Sequence, residues 1–134
     1  MVAVNPFYWD FNDATRAWAK RFSERHPRKN FPNDMQADVY AAVLHYLKIA
    51  AKLDGDVENG RGVVAAMKDM PTDDVLSGNG VIRPDGRKTH PMYVLETKPP
   101  QESNGRWDYF RITGTIPADR AFRPLSEGGC PLVK

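Results

Sequence analysis

Few residues in this chain have both the type and the spacing to do chemistry. Asp54, Asp56, Glu58 and Gly60 begin like a calcium loop, where alternating oxygen ligands need a glycine at the sixth position and a bidentate glutamate at the twelfth. Asn59 and Ala65 occupy those positions, so the stretch reads as an acidic turn. His26, His45 and His90 are too scattered for metal-ligand spacing. Cys130 is the single cysteine and sits in a Gly/Pro-rich tail. With no activating helix start, it reads as an inert thiol, or as one whose disulfide partner is missing, rather than as a nucleophile. Asp73 and Asp74 have the types of a paired-carboxylate site, but such pairs more often flank turns and helices. Gly78-Asn79-Gly80 lacks the rest of a phosphate-cradling loop and reads as a turn. No nucleophile–base or metal set converges, so the expectation is no enzyme, no metal and no cofactor. Tyr8, Trp9 and Tyr40 stand apart from the other aromatics because they fall at or near element starts, where pockets form.

The elements that must position these residues follow from patterning. Asn12 or Asp13 can cap a helix running to about His26, stopped by Pro27. Its apolar face is expected to hold Phe11, Ala14, Trp18 and Phe22. Asn33 and Gln36 resemble a capping box opening a helix from about Asp34 to Leu53, ended by Gly55. That helix is apolar nearly all round, with Asp38, His45, Lys48 and Lys52 as its polar stripe. Such a helix is normally buried within a larger body. A short helix is expected near Gly62–Met70, with Val63, Ala66, Met67 and Met70 facing inward. Residues 73–113 read as β. Val81–Arg83 and Met92–Thr97 are expected to form a hairpin about Pro84-Asp85-Gly86. Trp107–Ile116 is a further strand, with Asp108, Phe110 and Ile112 on one face. A short helix is expected near Ala118–Phe122, and the tail from Pro124 reads as irregular.

Composition bounds the answer. At 134 residues the chain suits one domain. Its 41% hydrophobic and 27% charged content excludes a disordered chain. A net charge of +2 is too mild to argue for nucleic acid. No apolar run approaches the roughly 18 residues that span a bilayer. The opening from Met1 to Phe7 has no basic and no apolar signal region, which taken by itself implies the cytoplasm.

The order of segments resembles the last third of type I periplasmic solute-binding proteins of ABC transporters, of the branched-chain amino acid type. The segments carrying it are Phe7–Asp10, Asn12–Arg16, Gln36–Val43, Gly80–Gly86, His90–Val94, Trp107–Tyr109, Ala121–Leu125 and Gly129–Val133. The resemblance implies an α/β class and a partial periplasmic-binding-protein type I fold: three helices of one lobe, then β-strands and an irregular tail. Residues 1–13 would be an inter-lobe crossing segment. Residues 14–72 would be the helical part of the first lobe, and 73–134 strands with the third crossing and the tail. In that family a ligand is trapped between two lobes. Met35, Gln36 and Ala37 would occupy ligand-facing positions, with Tyr40 one turn on and Tyr8 as one wall. The helix start would offer donors to a ligand carboxylate. The resemblance further implies a small carboxylate or amino-acid ligand, a membrane permease as partner of the intact receptor, and a periplasmic location. The first lobe's sheet and the partner of Cys130 would lie outside these residues. A chain left this way is expected to pair with a second copy of itself.

Overall fold

A computed structural model describes residues 1–74 and 78–133. Among these residues, six strands and four α-helices run in the order β1 (Val2–Asn5), α1 (Asp13–Arg25), α2 (Asp34–Lys52), α3 (Gly60–Asp69), β2 (Thr72–Asp74), β3 (Gly78–Ile82), β4 (Lys88–Thr89), β5 (Met92–Thr97), β6 (Phe110–Ile116) and α4 (Ala118–Ala121). Local chemistry sets the helix starts. Asn12 accepts the Thr15 backbone N–H at 2.9 Å, and the Thr15 hydroxyl accepts the Asn12 N–H at 3.0 Å. Asn33 and Gln36 exchange the same pair of bonds at 3.0 Å each. Each box satisfies two donors that a helix start otherwise leaves bare. α2 ends as Gly55, in the left-handed region at φ 84°, returns its N–H to Ala50 O.

Two antiparallel three-stranded sheets follow, ordered β1-β5-β6 and β2-β3-β4. The expected hairpin between Val81–Arg83 and Met92–Thr97 is not formed. The turn at residues 84–86 instead returns the chain into β4, which pairs Val81 with Thr89. Pro91 then separates β4 from β5, and β5 pairs with β1 and β6. Thr113 is an extra residue on β6 opposite the Val94–Leu95 step, a β-bulge. Asp73, Asp74, Gly78 and Asn79 lie in paired strands rather than turns. Along β6 the expected alternation holds, with Phe110 and Ile112 inward and Tyr109 and Arg111 outward.

Two details of the helices differ from the pattern reading. The buried side of α1 is Thr15, Trp18 and Ala19, while Phe11 and Ala14 are exposed. His45 belongs to the buried face of α2, with Ala37, Ala41 and Ile49. Its Nε2 donates to Met67 O at 2.9 Å. In a continuing helix that carbonyl would take the N–H four residues on, but that residue is Pro71, which has none. A histidine at that turn therefore completes α3, not a polar stripe. Much of the remaining surface of α2 is apolar and faces solvent, including Val39 (64% exposed) and Leu47 (54%).

The core divides into two clusters. Phe7, Trp18 and Ala37 form one between the helices. Tyr8, Tyr93 and Leu95 form the other on the β1-β5-β6 sheet. Trp9 packs against both and joins the helical layer to the sheet.

Candidate functional site

The segment linking β1 to α1 turns Phe7 toward the helices and Tyr8 toward the sheet. Successive side chains of an extended segment point to opposite sides, so one short stretch serves both clusters. Trp9 then reaches across the chain, and its Nε1 donates to Trp107 O at 2.8 Å. Tyr8 donates to the same carbonyl at 3.5 Å and accepts the Phe110 N–H at 3.2 Å. Trp107 itself adopts a left-handed backbone, φ 76°. For a residue with a bulky side chain that conformation costs about 1–3 kcal/mol. These hydrogen bonds, and the Arg106 bond to Asn30 Oδ1 at 3.1 Å, hold it there.

The convergence shapes a half-open cavity of about 240 Å³ between β1, the β5–β6 connection and the start of α2. Its walls are mainly aromatic: Phe7, Tyr8, Trp9, Phe31, Trp107, Tyr109 and Phe110. Asn5, Asn33 and Asp34 supply the polar part of the lining. Trp9 and Phe31 meet edge-to-face at 4.7 Å, and Tyr8 and Phe110 likewise at 6.0 Å. Burial pushes the Tyr8 hydroxyl above its ordinary pKa, against the opposing effect of the Phe110 N–H. It therefore stays a neutral phenol through the physiological range.

Beneath the rim, Asp108 is buried. It accepts the Asn104 N–H at 2.8 Å and pairs with Lys98 Nζ at 2.6 Å. The Asn104 backbone N–H, and next the Lys98 ammonium, hold its carboxyl below the usual range. Lys98 is raised in turn, chiefly by its bond to Asp108. This pair fastens the connection that carries Trp107.

The four residues expected around the ligand do not all meet. Tyr8 lines the cavity, and the α2 start reaches it through Asn33 and Asp34. Gln36 is exposed, with its side chain occupied in the capping box. Ala37 is buried against Phe7 and Trp18. Tyr40 leans on Trp18, 5.2 Å between ring centres. It lines a separate open groove of about 560 Å³ along α1, with Arg21, Arg25 and His26. Met35 is 75% exposed at the same helix end. Pattern reading missed Phe31, Trp107, Tyr109 and Phe110 as wall residues. Phe31 stands two residues before the Asn33 cap, and Trp107 follows the Ser103–Gly105 turn, which are the local signals available. Among the described residues no group of His, Cys, Asp or Glu is placed to hold a metal ion.

The family of periplasmic binding proteins matches residues 1–106. Three solved structures resemble the fold. One is a periplasmic binding protein from Burkholderia mallei, 36% identical over 100% of this chain, with a TM-score of 0.91. Another is a branched chain amino acid ABC transporter periplasmic ligand-binding protein from Burkholderia xenovorans, 36% identical over 99% of this chain, with a TM-score of 0.92. At 18% identity, the leucine-, isoleucine-, valine-, threonine- and alanine-binding protein of Brucella ovis, in its closed conformation, shares the fold over 92% of this chain, with a TM-score of 0.68. This chain spans 34% of the length of each of the first two and 32% of the third. No curated protein matches at a significant level.

Proposed function

This chain belongs to the periplasmic binding protein family, and from that premise we propose that it is the C-terminal segment of an ABC-transporter receptor. The family consists of solute-binding proteins, not enzymes. In our reading the intact receptor captures a small organic acid or amino acid between two lobes and presents it to a membrane permease in the periplasm. Residues 1–13 serve as a crossing between lobes, 14–72 as the helical part of the first lobe, and 73–134 as strands of the third crossing with the tail.

The observation that carries this reading is the match of the whole chain to about a third of a receptor at TM-score 0.91. The position of the cavity supports it. Trp9 ties the helical layer to the sheet beside that cavity, as a ligand site between two bodies requires. The start of α2 forms the ligand edge. Gln36 and Ala37 have their N–H groups taken by Asn33. The N–H groups of Asp34 and Met35, which have no hydrogen-bond partner among the described residues, are left to face a ligand carboxylate. Tyr8 forms one wall. Gln36 and Tyr40 serve ligand binding once their side chains turn from the cap and the α1 groove.

Titration of the purified chain with leucine, valine and benzoate tests this, followed by tryptophan fluorescence and thermal melting. Saturation at a hundred times Kd stabilises by about 2.7 kcal/mol, which raises Tm by several degrees. No shift with any of the three would count against a ligand site in this segment.

A second reading is favoured by the exposed apolar face of α2. Here the chain is a self-associating structural module with no transport activity of its own, and α2 of one copy covers α2 of another.

A further inference from the structure

We propose that the aromatic cavity at the start of α2 accepts an alkylated ammonium group. This deepens the receptor reading and rests on it for taking the cavity as a ligand site. Seven aromatic side chains line about 240 Å³, and the charged residue in that lining is Asp34. Ring faces attract cations through their quadrupoles, most strongly where water is excluded. One of these rings already shows the preference. The Arg106 guanidinium rests 4.5 Å from the centre of Trp107.

The hydrogen-bonding inventory selects the kind of cation. A primary ammonium brings three N–H donors and needs acceptors for them. Besides the Asp34 carboxylate, the wall offers few free ones. Trp107 O already takes Trp9 and Tyr8. The Tyr8 hydroxyl is engaged with Phe110, and Asn33 Oδ1 with Gln36. Asn5 Oδ1 has no partner but is buried in the wall, where it contributes negative potential rather than an accessible acceptor. A trimethylammonium-like group has no N–H to satisfy and presents methyls to the rings. Its charge is balanced by Asp34. A carboxylate among the rings would face Asp34 as a like charge, so the cationic end of a ligand belongs among the rings, and its anionic end at the rim on the backbone N–H groups of Asp34 and Met35.

Arg106 sits beside the cavity as a competing cation, and this makes the proposal testable in both directions. The probe is tetramethylammonium chloride, with tert-butanol as a neutral counterpart of similar size, titrated against Trp fluorescence in buffer of fixed ionic strength. Saturable binding of tetramethylammonium is expected, at least about tenfold tighter than tert-butanol. Asp34→Asn and Phe31→Leu are each expected to weaken it, the former by about tenfold, and Arg106→Gln to tighten it several-fold. Circular dichroism of each variant separates loss of site from loss of fold. Equal binding of tert-butanol, or no saturable response to tetramethylammonium, overturns the proposal. If leucine or benzoate binds while tetramethylammonium does not, this inference falls and the receptor reading stands. If tetramethylammonium alone binds, the inference stands and the small-acid ligand falls.

Discussion

Trp9 occupies a position no neighbour can take over. Its ring fills space in both core clusters, and its N–H answers a carbonyl 98 residues away. Trp9→Phe keeps most of the ring and removes the donor. A net hydrogen bond contributes about 0.5–1.5 kcal/mol, so a loss of about 1 kcal/mol in urea unfolding is expected, without change in helical content. Asp108 carries a different load. Hydrogen bonds to a charged group contribute about 1.5–3 kcal/mol. Some solvent at the loop rim reduces this, so Asp108→Asn should cost about 1–2 kcal/mol, read by chemical denaturation at neutral pH. Its folded pKa is depressed, by the Asn104 N–H first and Lys98 second. The stability it lends is therefore complete above the ordinary carboxylate value near ~4 and is lost as pH falls through the folded value. Melting below that pH should show a steeper decline in the native chain than in Asp108→Asn.

Elements repeat the lesson with larger parts. α2 and α3 are joined by His45, whose Nε2–H meets the Met67 carbonyl left bare by Pro71. His45→Leu keeps the packing volume and strands that carbonyl, at a cost of about 1–3 kcal/mol; hydrogen exchange should show α3 loosening first. In β3, a Cβ at Gly80 would stand 2.6 Å from Thr72 Oγ1 and 2.7 Å from Thr89 O. Gly80→Ala must push β2 or β4 aside, at about 1–3 kcal/mol. Gly114→Ala meets Val94 at an ordinary 3.7 Å and should stay within about 0.5 kcal/mol of the native chain. Helix boundaries were legible in the sequence because both caps are satisfied within four residues. The β1 partner of β5 was not, since that pairing is decided by residues some ninety positions distant, nor was the turn at 84–86 that closes onto a two-residue strand. The site divides along the same line. Tyr8 and the α2 start could be read locally, whereas Phe31 and Trp107 become walls only when the chain closes on itself.

At the scale of the whole molecule, the face of α2 that none of the described residues covers matters most. Met35, Val39, Val43, Tyr46 and Leu47 lie at three- and four-residue steps and are 75%, 64%, 51%, 39% and 54% exposed. Burying such side chains fully is worth about 1.5–3 kcal/mol each, and contiguous apolar patches of this kind mark interaction sites. Under the receptor proposal further sequence would supply the missing cover; under the alternative, a second copy of this chain would. With the chain alone in solution the second is the available occupant, so native mass spectrometry should show a dimer that grows with concentration. Leu47→Lys with Val43→Glu places charges in the middle of the stripe. These variants should be monomeric with unchanged helical content, because neither side chain belongs to the buried face formed by Ala41, His45 and Ile49. Reductant should leave the dimer intact, because Cys130 lines a cavity with Arg83, Arg87 and Arg123, away from α2. A chain that stays monomeric at every concentration would remove the self-associating module.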